Sequence, residues 1–372
     1  MHDRYFRPER ERSYDRHLRL VRREKAGNSR MHKHGGDIYT HRNVLDFSAN
    51  MNFRGMPEQV KQAAKKAIDD CGNYPDPDCR QLREAIAVRE QVSAEHVICG
   101  NGAADLIFTL VRAKRPKRAL LPAPTFYEYE QALESAGCKT DRYYMQAEKG
   151  FQPEEDFIEH ITPQTDLVFI CNPNNPTGVL TEPALLERIL ERCISCGVLL
   201  VVDECFNDFL KEPERYSVKS HLEKSDQLFI LKAFTKMYAM AGMRLGYGLC
   251  RNRELLSEMK KSSQPWSVSL PAQMAGIAAA QEREFAAESR EQIREERDFL
   301  TARLRERGYQ IIGSKANYIF FRGPEDLYEK CLEQGILIRD CSNYEGLTRG
   351  WYRIAVKNRA DNLRLLEVME DV

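Results

Sequence analysis

Along most of the chain, short runs of apolar residues alternate with longer segments in which apolar residues recur at helical spacing. The clearest runs cover residues 97–99, 119–121, 167–171, 199–202 and 228–231. Runs of this length predict β-strands, and their continuous apolar character is typical of a parallel sheet covered by helices on both faces. Strands that alternate with helices in this way predict an α/β fold.

The pattern changes in the last third of the sequence. Up to that point, segments such as 185–196 show the apolar face of an amphipathic helix. Beyond Pro265 a long helix-prone stretch at 272–307 leads into a mixed tail. Predicted strands in that tail lie near 317–321, 336–339 and 352–356. The change indicates a smaller α+β domain beside a large domain with a mostly parallel central sheet.

These patterns divide the chain into four parts. They are an extension at 1–30, an N-terminal segment of the small domain at 31–60, the large domain at 61–267 and the C-terminal small domain at 268–372. The first 30 residues are rich in arginine and poor in apolar residues, so we expect a flexible basic extension. Such an arm could contact nucleic acid or a protein, but a solvated tail is the favoured interpretation.

Composition narrows the classes of function. With 372 residues and 42% hydrophobic content, the chain is long enough for about two domains. Lys plus Arg and Asp plus Glu each total 56, which gives no electrostatic reason to expect nucleic acid or a membrane as a partner. No apolar run approaches the roughly 18 residues of a membrane span, and the N-terminus opens with charges where a secretory signal would be apolar. We therefore expect a cytoplasmic protein that acts on a small molecule.

The cysteines predict neither a disulfide framework nor a metal site. There are 11 of them, an odd number scattered singly, which is typical of reduced and mostly buried thiols. Cys193 and Cys196 have CxxC spacing, but no second Cys or His pair lies nearby. Two cysteines at the end of a helix are therefore the favoured interpretation.

A glycine-containing turn, Gly100 to Ala104, follows the first predicted strand and opens a helix. Its two glycines let the backbone approach an anion closely. The free N–H groups at the helix start favour phosphate by about 0.3–2 kcal/mol. Glycine before a helix is also common in tight turns without a ligand, so both interpretations stay open.

Two polar residues follow neighbouring predicted strands. Asn175 lies in the loop after 167–171, at the strand end where open α/β sheets bind ligands. Asp203 ends the strand 199–202, and a protonated pyridine nitrogen would give its carboxylate a partner worth roughly 1.5–3 kcal/mol. An Asn-Pro turn and a helix N-cap are the alternatives for these two residues.

A lysine and an arginine follow the strand at 228–231. Thr235 and Lys236 come first, and Arg244 lies a short distance further along the chain. An amine in an apolar segment, near a second cation, is poised for imine formation. A guanidinium can pair with phosphate through two parallel hydrogen bonds. Either cation could instead be a surface residue.

Together these features occur in the order that one cofactor requires, and they resemble the fold-type I enzymes that use pyridoxal 5'-phosphate (PLP). Within that group the sequence is similar to threonine-phosphate decarboxylases, relatives of histidinol-phosphate aminotransferases, over about 31–372. The specific stretches are 34–36, 46–50, 55–57, 265–268, 336–341, 343–344 and 346–347. The first two, His-Gly-Gly and Asp-Phe-Ser-Ala-Asn, favour the decarboxylases.

The resemblance implies a role for each matched residue. Lys236 would link covalently to PLP and Asp203 would face its pyridine nitrogen, and both would be catalytic. The other residues implied to bind the cofactor are Gly102, Ala103, Ala104, Phe126, Asn175, Thr235, Arg244 and, across a shared site in a homodimer, Tyr74. The residues implied to bind substrate are His34, Gly35, Asn50, Asn175, Arg339 and Arg353.

Some of these positions have simpler explanations when the residues are considered alone. Phe126 would then be a core aromatic residue and Tyr74 a turn residue, while Arg339 and Arg353 would face water from a strand. Phe206 departs from many aminotransferases, which have a tyrosine there, and this departure fits the decarboxylases.

The implied activity is decarboxylation of O-phospho-L-threonine to (R)-1-amino-2-propanol O-phosphate and CO₂, for the cobalamin side chain. Two arginines suit a substrate that has a carboxylate and a phosphate. The alternative is a histidinol-phosphate or other amino-acid aminotransferase. A regulatory PLP-fold domain that uses its basic arm on DNA is disfavoured, because all the implied catalytic positions are filled.

Overall fold

Strands and helices alternate through residues 34–370, the part of the chain that the computed structural model describes. The strands are β1 (Leu45–Asp46), β2 (Val97–Gly100), β3 (Arg118–Ala123), β4 (Lys139–Tyr144), β5 (Leu167–Cys171), β6 (Leu199–Asp203), β7 (Leu228–Ala233), β8 (Gly246–Leu249), β9 (Gln310–Gly313), β10 (Tyr318–Arg322), β11 (Ile336–Leu337), β12 (Arg339–Asp340) and β13 (Trp351–Ala355). The α-helices are α1 (Glu58–Ile68), α2 (Arg80–Glu90), α3 (Ala103–Lys114), α4 (Tyr127–Ser135), α5 (Pro183–Cys196), α6 (Pro213–Tyr216), α7 (Arg253–Ser262), α8 (Leu270–Gln281), α9 (Arg283–Glu306), α10 (Leu327–Glu333) and α11 (Arg359–Glu370). The predicted extension at 1–30 lies outside the described residues.

The large sheet has the strand order β2-β8-β7-β6-β5-β3-β4. Only β8 runs antiparallel to its neighbours β2 and β7, while the other pairs in the sheet are parallel. The carboxyl ends of β5, β6 and β7 therefore meet at one edge. That edge brings together the residues that follow these three strands, among them Asn175, Asp203 and Lys236.

Apolar residues on both faces of the central strands explain why the sheet forms. Along β6, Leu200 and Val202 pack into one core cluster, whereas Leu199 and Val201 pack into the other. All four are at most 3% exposed, as the continuous apolar run predicts. Full burial of each such side chain contributes roughly 1.5–3 kcal/mol before the cost of chain ordering.

Two smaller sheets form from the terminal parts of the described chain. One is four-stranded and antiparallel, in the order β12-β13-β10-β9, and the other pairs β1 with β11 in parallel. The β1–β11 pair joins the segment near residue 45 to the C-terminal part. The four proposed sequence boundaries stay a prediction, and from Gly35 onward the chain forms one compact unit.

The structure corrects several predicted elements. The predicted helix at 272–307 is two helices, because the backbone of Glu282 leaves the helical region between α8 and α9. The predicted strand at 336–339 is also two, since Ile338 separates β11 from β12. Strand β4 was not predicted, because this edge strand is largely polar. No helix in the described range is both long and apolar enough to span a bilayer.

Candidate active site

The turn that opens α3 forms a tight cradle beside Arg244. Gly102 has a φ of +90°, and a Cβ on it would lie 2.6 Å from Arg244 Nη2. A Cβ on Gly246 would lie 2.5 Å from the nitrogen of Ala103. Glycine is therefore required at position 246 by close approach to backbone, whereas at position 102 it is favoured by the positive φ, and a Cβ there would displace the Arg244 guanidinium. The first N–H groups of α3, including those of Ala103 and Ala104, are left for a ligand by helix geometry.

Arg244 supplies the positive charge at this cradle. Its Nη1 donates a hydrogen bond of 3.3 Å to the carbonyl oxygen of Ala241. No carboxylate of the described residues lies within ion-pair distance of it, so the charge is available to an anion. The guanidinium and the helix start together favour a phosphate group.

Lys236 lies in the turn after β7, where its carbonyl oxygen accepts a hydrogen bond of 3.1 Å from the nitrogen of Asn52. Its Nζ is 5.8 Å from the centroid of the Phe206 ring. Burial, reinforced by the charges of Arg353 and Arg244, lowers the pKa of Lys236 to about 8. A larger share of the amine is therefore neutral and nucleophilic near neutral pH.

Asp203 is a buried carboxylate at the end of β6, only 4% exposed. Tyr129 Oη donates to its Oδ2 at 2.6 Å, and the nitrogen of Cys205 donates to its Oδ1 at 2.9 Å. Burial raises the pKa of Asp203, and a hydrogen bond with the Cys205 side chain, together with these two hydrogen bonds, opposes the rise. No cation among residues 34–370 forms an ion pair with it, although a buried carboxylate is costly without one.

Arg353 connects the loop after β5 to the segment after β1. Its Nη1 donates to Asn175 Oδ1, and its Nη2 donates to the carbonyl oxygen of Ser48 at 2.9 Å. Because Asn175 Oδ1 is used in this way, its amide nitrogen is the group available to a ligand. A Cβ on Gly35 would lie 2.3 Å from the same Ser48 oxygen, so this backbone also packs against the site.

Arg339 lies directly opposite Arg353 in the β12–β13 pair. The two side chains are 5% and 6% exposed. Arg339 donates to the carbonyl oxygen of Asp340 at 2.6 Å and to Asn343 Oδ1 at 3.0 Å. Two buried guanidinium groups therefore lie at adjacent positions in the small sheet.

Asn50 brings an amide into the same region. It is 2% exposed, and its carbonyl oxygen accepts a hydrogen bond of 2.9 Å from Asn317 Nδ2. Its side-chain Oδ1 is buried without a hydrogen-bond partner within the described structure. A buried amide oxygen usually has a partner, so this atom fits contact with a bound donor.

The other residues that the resemblance assigns to the site range from buried to exposed. Phe126 precedes α4 and meets Tyr129 edge to face, with ring centroids 5.5 Å apart. Thr235 is buried. Tyr74 is 80% exposed and stacks on Trp266 at 4.7 Å. His34 is exposed and is the first described residue.

Residues that sequence reasoning missed also lie in this region. Tyr129 bonds Asp203, and the carbonyl oxygen of Ser48 bonds Arg353. Burial raises the pKa of Glu128 to about 7, while the charges of Lys236 and Arg339 act in the opposite direction. Helical spacing places Tyr129 one turn after Phe126, which is the signal that could have identified it. No sequence signal marks a backbone oxygen such as that of Ser48.

The described residues fit PLP. The glycine cradle beside Arg244 suits a phosphate, and the buried carboxylate of Asp203 suits a protonated ring nitrogen. The amine of Lys236 suits an aldehyde, and Asn175 retains a free amide N–H₂ for a ring oxygen. These groups follow separate strands, yet the sheet gathers them at one edge.

Comparison with known proteins identifies the family. The model of "aminotransferase class I and II" matches residues 42–369, and the chain belongs to this family. Its members depend on PLP, which confirms the predicted cofactor, the fold class and the resemblance.

Particular relatives are informative about the branch of the family. Threonine-phosphate decarboxylase of Salmonella typhimurium is 36% identical over 91% of this chain and 96% of the relative. The structure of L-threonine-O-3-phosphate decarboxylase from Porphyromonas gingivalis matches with a TM-score of 0.76 and 26% identity, over 87% of this chain and 98% of that one. Histidinol-phosphate aminotransferase from Clostridium acetobutylicum matches with a TM-score of 0.83 and 29% identity, over 88% and 98%.

Proposed function

We propose that this protein is a PLP-dependent carboxy-lyase that converts O-phospho-L-threonine to (R)-1-amino-2-propanol O-phosphate and CO₂. The support comes from its similarity to a threonine-phosphate decarboxylase at 36% identity over nearly the whole chain. The product would serve the side chain of cobalamin, as the relatives of this branch imply.

The observation that carries the proposal is the buried pair of Arg339 and Arg353. Each guanidinium can bind one oxyanion through two parallel hydrogen bonds, so the pair suits a molecule with a carboxylate and a phosphate. O-Phospho-L-threonine has its carboxylate on Cα and its phosphate on the oxygen of the neighbouring Cβ. We assign the remaining substrate contacts to His34, Gly35, Asn50 and Asn175.

The choice of which bond breaks depends on orientation. When bound, PLP supplies a cationic ring that accepts the electron pair left on the substrate Cα. The two arginines fix the substrate so that its carboxylate, rather than its α-hydrogen, takes the position favourable for loss. Phe206 and Tyr318 pack edge to face with centroids 5.0 Å apart, and this apolar wall limits water near Lys236.

Lys236 and Asp203 each have a role in proton transfer or proton binding. The lowered pKa of Lys236 lets its Nζ act as a neutral amine that is available first as a nucleophile and later as a proton carrier to Cα. Asp203 would hold a proton on the ring nitrogen through its buried carboxylate. Gly102, Ala103, Ala104, Thr235 and Arg244 would hold the phosphate, and Phe126 would contact the ring.

The decisive experiment compares products. Purified protein loaded with PLP is incubated with O-phospho-L-threonine, and CO₂ and amino-propanol phosphate are measured. Release of both in equal amounts is the expected result. Transamination of histidinol phosphate with 2-oxoglutarate, without CO₂ from threonine phosphate, would overturn the proposal. An aminotransferase is the second candidate because the chain also matches the structure of the Clostridium acetobutylicum enzyme.

A homodimer with shared sites is part of the proposal. Tyr74 and Trp266 form an exposed aromatic stack, which suits a subunit interface through which Tyr74 reaches the other site. Co-expression of the Lys236→Ala and Tyr74→Phe chains tests this point. A shared site predicts that mixed dimers recover activity that neither variant has alone, whereas a site within one chain predicts no recovery.

A further inference from the structure

Tyr129 connects two of the groups assigned to the cofactor. Its hydroxyl donates a hydrogen bond of 2.6 Å to Asp203 Oδ2, and its ring meets the ring of Phe126 edge to face. Asp203 and Phe126 are assigned to the nitrogen and to the face of the same pyridine ring. One side chain therefore contacts both the acid and the aromatic residue that are assigned to the ring.

The position of Tyr129 is fixed by packing. The residue is fully buried, and its ring stacks on Phe169 at 4.6 Å with an interplanar angle of 11°. Phe169 belongs to β5, so the sheet holds the ring plane while α4 holds the backbone. A hydroxyl on a ring held in this way cannot swing away from Asp203 without displacing the core.

The carboxylate of Asp203 depends on few donors. Its Oδ1 accepts a hydrogen bond from the nitrogen of Cys205, and its Oδ2 accepts the one from Tyr129. The side chain of Cys205 is a further hydrogen-bond partner. Each carboxylate oxygen can accept a further bond, so a ring N–H can bind without displacing either donor. The phenol stays protonated, because burial and the Asp203 charge raise the pKa of Tyr129.

We propose that Tyr129 is a positioning residue that keeps Asp203 ionised and oriented for the ring nitrogen of PLP. The inference rests on the proposed function, specifically on the assignment of Asp203 to that nitrogen. Tyr129 itself touches neither cofactor nor substrate. Its effect is transmitted by the phenol hydrogen, so removal of a single oxygen atom should weaken the hold on a protonated ring.

The alternative is that Tyr129 serves only the stability of the core. Tyr129→Phe separates the two roles, because it keeps the stack on Phe169 and deletes only the hydroxyl. Tyr143→Phe is the matched control, since Tyr143 is also buried and donates to Asp156 at 2.5 Å. Thermal unfolding of the PLP-free variants reports how much each loss costs the fold.

The test measures binding of two ligands to the PLP-free protein. One is PLP, and the other is its analogue with carbon in place of the ring nitrogen. We expect Tyr129→Phe to weaken PLP affinity by about tenfold or more, the effect of one hydrogen bond to a charged group, and to leave analogue affinity within about threefold. Tyr143→Phe should change neither affinity.

A double variant separates the effect on PLP binding from any effect on the stability of the fold. In an Asp203→Asn background the carboxylate is absent, so adding Tyr129→Phe should cost no further PLP affinity. Equal losses for PLP and the analogue, or an undiminished loss in the Asp203→Asn background, would overturn the inference and leave a structural role. Wild-type protein that binds PLP and releases CO₂ keeps the proposed function intact in that case, whereas wild-type protein that does not bind PLP overturns both.

Discussion

Arg339 and Arg353 lie directly opposite each other on the antiparallel strands β12 and β13, and both residues are buried, at 5% and 6% exposed. Like charges at such positions destabilise a sheet. The two hydrogen bonds of Arg353 go to neutral oxygens, on Asn175 and Ser48. An anion bound to either guanidinium would reduce the repulsion between the two cations.

Replacing either arginine should weaken substrate binding more than cofactor binding. We expect Arg339→Met and Arg353→Met each to raise KM for O-phospho-L-threonine by roughly 10- to 100-fold, because each loses a charge-assisted pair. Arg322→Met is the control, since Arg322 is exposed on the neighbouring strand β10. Steady-state CO₂ release measures the effect, and an unchanged KM in both variants would contradict the assignment.

Lys236→Ala should abolish the covalent attachment of PLP. The wild-type protein is expected to be yellow when loaded, and borohydride should fix the cofactor to one peptide that contains residue 236. The variant should show neither property, because no amine is present at that position. Lys261→Ala, an exposed lysine on α7, should behave as wild type. Mass spectrometry of the reduced protein makes the measurement, and labelling elsewhere in the wild type would refute the prediction.

The rate at which PLP reloads the protein should depend on pH through Lys236. Burial lowers the pKa of this amine from its ordinary value to about 8, so it is mainly protonated below that pH and neutral above it. Only the neutral form is nucleophilic. The rate should therefore rise as pH increases from 6 to about 8 and level off above, as stopped-flow absorbance can record. A rise that continues to pH 10 would indicate an unperturbed lysine.

Much of this site could be predicted because parallel strands impose an order on the chain. Asn175, Asp203 and Lys236 follow three neighbouring strands, so a sheet that pairs β5, β6 and β7 gathers them at one edge. Their apolar strands are recognisable from sequence alone. Gly102 was recognised only through the resemblance, since a glycine that opens a helix is also common in tight turns without a ligand.

The contacts between distant elements could not be predicted in this way. That Arg353 reaches both Asn175 and Ser48 depends on how β13 sits against two other segments. The hydrogen bond from Tyr129 to Asp203 depends on the depth at which α4 packs on the sheet. Edge strands such as β4 were missed because they are largely polar and lack the apolar run that identifies the inner strands.

A side chain at position 102 should weaken PLP binding. Gly102→Ala places a Cβ 2.6 Å from Arg244 Nη2 and also strains a φ of +90°. Gly137→Ala separates these effects, because Gly137 has a φ of +69° with nothing within 4 Å of its Cβ. Both variants should lose roughly 1 kcal/mol of stability from backbone strain. Only Gly102→Ala should bind PLP about tenfold or more weakly in equilibrium titration, since it displaces a phosphate-pairing guanidinium. Equal PLP affinity in the two variants would show that the turn at Gly102 does not bind the PLP phosphate.

Glu204 should make the fold less stable as pH rises. Its side chain is 1% exposed and accepts hydrogen bonds from Ser217 Oγ at 2.8 Å and the nitrogen of Val218 at 2.9 Å. Burial raises the pKa of Glu204 from 4.5 to about 7, against the opposing charge of Lys232.

Between pH 4.5 and 7 the folded protein thus keeps a proton that the unfolded chain releases, so the free energy of unfolding falls across this window. Glu204→Gln has no such proton. Its stability relative to wild type should therefore increase from pH 5 to pH 8 by roughly 1–3 kcal/mol, as measured by denaturant unfolding of the PLP-free protein. Glu187→Gln, at an exposed position of α5, is the control for the change of side chain itself. A Glu204→Gln advantage that is equal at both pH values would show that this carboxyl titrates alike in the folded and unfolded chains.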